Sequence, residues 1–193
     1  MITKENWLLF VKFLLTNKSL IKLDLSQTHL KFKQSDYSQQ NVSTADPHCL
    51  RQNLDWDLFS KVISIRQGKP IEELLLNGVK FTNLPLEKFQ NVLNSLTTQS
   101  SLQYIKPTKP VKCRLGLANS DLSLECLKIV LNWMSYKNQP SHVNLIIQGV
   151  DLAFNDLSTY VKSMVSRLSS LPFDNLEFFT LNNTNISRPY DLA

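Results

Sequence analysis

The chain has 193 residues, 42% of them apolar and 19% charged, enough to bury a sizeable core and unlike a disordered or linker-like polypeptide. Its net charge of +5 is too small for a nucleic-acid footprint, and no aromatic residues interleave the basic ones. Three cysteines, Cys49, Cys113 and Cys126, form no CxxC pair and leave one unmatched, which suits reduced thiols and a cytoplasmic or nuclear setting.

The opening MITKENWLLFVKFLL carries an apolar run, but Lys12 interrupts it and no small-residue cleavage site follows. It is also too short to span a bilayer. Trp7, Phe10, Val11, Leu14 and Leu15 instead form a helical stripe. Next comes LIKLDLSQTHL (residues 20–30), whose apolar residues step by three, two and five, neither strand alternation nor helix periodicity. A polar tract, residues 31–53, interrupts the pattern before a helix marked by Leu58, Val62 and Ile65.

The rhythm then returns in IEELLLNGVKF (residues 71–81) and is followed by a helix with Phe89, Val92, Leu93 and Leu96 on one face. A Pro- and Lys-rich loop, residues 104–112, leads to a third copy, LGLANSDL, and a helix over Leu124, Leu127, Leu131 and Met134 with Ser123 as a cap or first-turn residue. A fourth copy is LIIQGVDL, with Leu145, Ile147, Val150 and Leu152 in the frame. Leu157, Tyr160, Val161, Met164, Val165 and Leu168 mark a helix with Asp156 as a cap or first-turn residue, and LEFFTLNNTNI (residues 176–186) is the fifth copy. Only SRPYDLA follows, with no capping helix, so the chain is expected to be part of a larger protein or to pack its last repeat on a partner.

Written as L-x-x-L-x-L-x-x-T-x-L, the pattern resembles the leucine-rich repeat, and its helix-bearing form resembles the ribonuclease-inhibitor type found in tropomodulin- and CARMIL-like proteins. The resemblance implies an α/β solenoid, a short horseshoe with parallel strands on the concave face and helices on the convex face. Residues 1–193 read as one domain of about five strand–helix units, with residues 31–53 and 104–112 as inserted loops. The ninth position, usually Asn or Cys, reads Thr28, Val79, Ser120, Val150 and Thr184 in this frame, so the repeats are degenerate.

No nucleotide-binding, hydrolase or zinc motif is present, and His29, His48 and His142 are too scattered for a metal site. No catalytic residue, cofactor or small-molecule substrate is therefore expected. The frame puts Leu75 and Ile146 on either side of Gly116, as exposed apolar walls of a notch that Phe178 extends and Asn77, Asn144 and Gln148 ring. Lys106, Lys109, Lys112 and Arg114 form a basic run suited to an anionic contact. The resemblance implies a non-catalytic protein-interaction module with a protein partner on its concave face. Its competitor is an enzyme regulator resembling the Ran GTPase-activating protein.

Overall fold

The computed structural model describes residues 4–27, 55–81, 84–99, 110–135, 145–169, 171 and 176–186. The first inserted loop, residues 104–109 of the second with Lys106 and Lys109, and residues 136–144 with Asn144 lie outside them, while the end of the second loop, from Val111, is strand. In chain order the elements are α1 (Lys4–Thr16), β1 (Lys22–Asp24), α2 (Trp56–Ile65), β2 (Glu73–Leu75), α3 (Leu86–Thr97), β3 (Val111–Gly116), α4 (Leu124–Ser135), β4 (Leu145–Asp151), a 3-10 turn (Ser158–Tyr160), α5 (Val161–Leu168) and β5 (Phe178–Thr180).

The five strands form one parallel sheet in sequence order, β1-β2-β3-β4-β5. Parallel neighbours cannot be joined by a hairpin, so each connection must cross over, and each carries a helix. Successive helices pack on one another in the same order. Alternate strand residues face the helices: Leu23 and Leu25, Leu74 and Leu76, Leu115 and Leu117, Val150 and Leu152 are all buried in one continuous core. A three-residue strand cannot bury that face alone, which is why the copies stack.

Two hydrogen bonds repeat between neighbouring rungs. The sixth-position amide donates to the fifth-position carbonyl of the next rung: Leu25 to Leu75, Leu76 to Gly116, Leu117 to Asp151 and Leu152 to Thr180, at 2.8–2.9 Å. The eighth-position amide donates to the seventh-position carbonyl: Gln27 to Asn77, Gly78 to Ala118, Asn119 to Ala153 and Phe154 to Asn182. Every eighth residue turns the chain with positive φ, including Gln27, Asn119, Phe154 and Asn183.

This ladder corrects the fourth repeat. Leu115 pairs with Val150 and Gly116 with Asp151, while Ile146 pairs with Lys112. The rung is therefore IQGVDLAFNDL, residues 147–157, five residues later than LIIQGVDL suggests, with Gln148 as an extra residue where the register shifts between Cys113 and Arg114. The ninth position becomes Asn155 rather than Val150. Its buried side chain accepts from the Ser120 amide (2.9 Å) and donates to the carbonyls of Leu117 (2.8 Å) and Leu152 (2.9 Å).

The helices follow their stripes with three adjustments. Leu15 and Ile65 are exposed, because Trp7, Val11 and Leu14 face inward from α1 and Trp56, Phe59, Val62 and Ile63 from α2. Leu157 belongs to the turn of the fourth rung, so α5 begins only at Val161, and Asp156 accepts from the Ser158 amide ahead of the 3-10 turn. Ser123 does cap α4, accepting from the Cys126 amide at 3.2 Å.

At the front of the fold, Trp7 meets Trp56 and Phe59 with ring centroids 5.6 and 5.7 Å apart. Buried Arg66 donates to the carbonyls of Leu14 (3.4 Å) and Asn17 (2.6 Å), placing a cation at the negative end of α1. Together they fix the leading helix to the first repeat.

Candidate functional site: a charged groove on the open sheet face

The sheet face turned away from the helices carries the third and fifth positions of each rung. At the third position the rungs read Lys22, Glu73, Arg114, Gly149 and Phe178 across the sheet. Opposite charges on adjacent strands pair: Lys22 Nζ lies 3.1 Å from Glu73 Oε1. Because β3 begins earlier than β1 and β2, it adds a second cation, Lys112, on the same side as Arg114, while Val111 before them and Cys113 between them are buried.

Glu177, just before β5, joins both. Its Oε1 is 2.9 Å from Lys112 Nζ and its Oε2 is 3.2 Å from Arg114 Nη2. Arg114 is steered from its other side by Gln148, whose Oε1 accepts from Nε at 2.8 Å. Gln148 is itself buried, and its carbonyl accepts from the Glu177 amide at 2.7 Å. The hydrogen bond from Lys112, then that from Gln148, then the nearby cationic charges hold the Glu177 carboxyl below its ordinary value. These residues, with Ile21, Lys22, Glu72 and Glu73, line an open groove of about 440 Å³.

The notch expected between Leu75 and Ile146 does not form. Ile146 lies opposite Lys112, and the space above Gly116 is filled by its neighbours: a Cβ there would sit 2.8 Å from Leu75 Cδ2 and 2.8 Å from Asn77 Oδ1. Asn77 also braces the next turn, accepting from the Ala118 amide at 2.8 Å. Phe178 lies across Gly149, where a Cβ would fall 2.1 Å from its ring, and the Arg114 guanidinium stands 5.8 Å from the ring centroid. Gln148 thus belongs to the groove, Phe178 to its flank over Gly149 and beside Arg114, Leu75, Asn77 and Gly116 to the sheet beside it, and Ile146 to neither role.

Lys112 and Arg114 are the two described members of the basic run, and they sit in the groove rather than on a loop. Sequence reasoning missed Lys22, Glu73 and Glu177. The alternation of sign at the third position, Lys22, Glu73, Arg114, is the signal that could have found the first two. Among the described residues no cluster of His, Cys, Asp or Glu is arranged to hold a metal ion, and no helix is long and apolar enough to cross a membrane.

Stacked parallel strands with helical crossovers and an asparagine-bearing turn define a leucine-rich-repeat domain. More narrowly, residues 1–193 match the model of the MHP1/HER1/GIP3 LRR domain, and the chain belongs to that family. It is 40% identical over 192 residues to HMG2-induced ER-remodeling protein 1 of Saccharomyces cerevisiae, an alignment that covers 100% of this chain and 13% of the relative. The chain thus spans about an eighth of the length of that relative. No solved structure matches.

Proposed function

We propose that this domain is a short leucine-rich-repeat solenoid acting as a non-catalytic protein-interaction module, with the charged groove on its concave face as the docking site. The carrying observation is the pair of solvent-accessible charge clusters, Lys22 with Glu73 and Glu177 with Lys112 and Arg114, that line one groove open to solvent. Exposed ion pairs contribute only about 0–1 kcal/mol each to stability. A partner bearing charges of both signs can exchange with them at little cost. Such exchange sets specificity and encounter rate more than raw affinity. The name of the yeast relative supports a setting in endoplasmic-reticulum remodelling, and the buried free thiols of Cys113 and Cys126 agree with a cytoplasmic environment.

The test is quantitative affinity capture from the source cell with the intact domain and with Lys112→Glu/Arg114→Glu. A partner bound through the groove is enriched by the intact domain and lost at least tenfold by the double variant, with an unchanged circular dichroism spectrum. Equal enrichment by both rejects the groove as the docking site.

A further inference from the structure

The two ends of the sheet differ. β1, beyond which no strand lies among the described residues, carries two exposed charged residues, Lys22 and Asp24. Charges of this kind protect an edge from further pairing. β5 presents Phe178, Phe179 and Thr180 and no charge. Its core positions are also unfinished. Phe179, Leu181 and Ile186 are only half-buried, whereas their counterparts in the second rung, Leu74, Leu76 and Phe81, are at most 1% exposed.

The backbone carries the same information. Leu152 and Phe154 donate across to Thr180 and Asn182, so the Leu181 and Asn183 amides take the corresponding outward places on the last rung. Glu177 donates inward to Gln148, and the Glu177 carbonyl stands where Gln148 presents its own acceptor to the fifth rung. No strand among the described residues lies beyond β5. The outer edge therefore repeats, donor for donor, the surface of β4 on which β5 itself is seated.

We propose that the outer edge of β5 is a strand-acceptor site, on which an extended segment of another polypeptide docks parallel as a sixth rung. Continuity with the β4–β5 ladder sets the chemistry of that segment. It is apolar at the first, fourth and sixth positions, so as to complete the cover of Leu176, Phe179, Leu181 and Ile186. It offers carbonyls at its fifth and seventh positions and, like Glu177 on Gln148, an amide at its second. A second copy is a poorer occupant in the head-to-tail sense, since it would bring the charged β1 edge against the aromatic one.

The probe is a synthetic peptide with the fourth-rung sequence IQGVDLAFNDL, added to the intact chain and followed by fluorescence anisotropy and amide hydrogen exchange. Saturable binding is expected, with exchange at Leu181 and Asn183 slowed at least tenfold and no change along β1. The same peptide N-methylated at its second residue, which deletes the donor without touching the protein, should bind at least tenfold more weakly. Leu181→Asp should abolish binding while the far-ultraviolet spectrum is kept. Absence of saturable binding, protection mapped to β1 or to the charged groove, or equal affinity of the N-methylated peptide would overturn the proposal. So would ultracentrifugation showing a dimer, closed through β5, that the peptide does not dissociate.

Discussion

Leu115 of β3 stands opposite Val150 of β4, and the Leu117 amide donates to the Asp151 carbonyl at 2.8 Å one step further on. That pairing sets the whole fourth rung. It brings Asn155 beneath the turn of the third, lays Gly149 under Phe178, and leaves Gln148 free to hold Arg114.

Asn155 should be the most sensitive polar position of the fold. Its side chain joins two turns through hydrogen bonds to Ser120, Leu117 and Leu152, and it is 1% exposed. Each buried group left without a partner costs about 1–3 kcal/mol. Asn155→Ala should therefore lower the unfolding free energy by at least ~3 kcal/mol in denaturant titration. Asn155→Asp should not rescue it, since a carboxylate cannot donate to the two carbonyls. A loss under ~1 kcal/mol would mean that the turn is held by other contacts.

Phe154 presents the opposite case. It adopts φ 59 and its side chain is 60% exposed, so it bears left-handed strain with little burial in return. Asn tolerates that conformation better and occupies the eighth position in the third and fifth rungs. Phe154→Asn should stabilise the domain by about 0.5–1 kcal/mol and raise Tm. A lower Tm would show that the ring is packed in solution.

Acid should weaken the fold in a defined window. Hydrogen bonds from Ser26 lower the pKa of Asp24 below 3.8, those from Ser158 do the same for Asp156, and those from Lys112 and then Gln148 bring Glu177 below 4.5. A carboxyl depressed by folding contributes stability that is complete above its unfolded value and lost as pH falls through its folded value. Stability should thus be level from neutral pH down to about 5 and decline below about 4, where Glu177 also releases Lys112 and Arg114. Glu177→Gln should flatten part of that decline in urea melts taken at pH 3 and pH 6. An unchanged pH profile would place Glu177 outside the ion pairs.

Most of the architecture was legible in the sequence because four rungs carry apolar residues at spacings no other regular element uses. The fourth was misframed because β4 is long: Leu145 and Ile147, upstream of the register shift, imitate the positions that Val150 and Leu152 occupy. Only the asparagine of the turn, Asn155, separates the two frames, and spacing of apolar residues is blind to it. The groove was less legible for a different reason. Arg114 and Glu177 are 63 residues apart, and their contact depends on the register, the bulge at Gln148 and the early start of β3. Apolar periodicity says which face a side chain takes, not which charge waits on the next strand.

The register of the fourth rung decides which residues line the open face, and a cross-link tests it most directly. Lys112 and Ile146 are paired across β3 and β4, on the same side of the sheet and neither buried. Lys112→Cys/Ile146→Cys, made with Cys49→Ser, should form an intramolecular disulfide under mild oxidation, since paired strand neighbours lie about 5 Å apart. Were Ile146 instead opposite Gly116, the two cysteines would be about 13 Å apart, and both thiols would stay free.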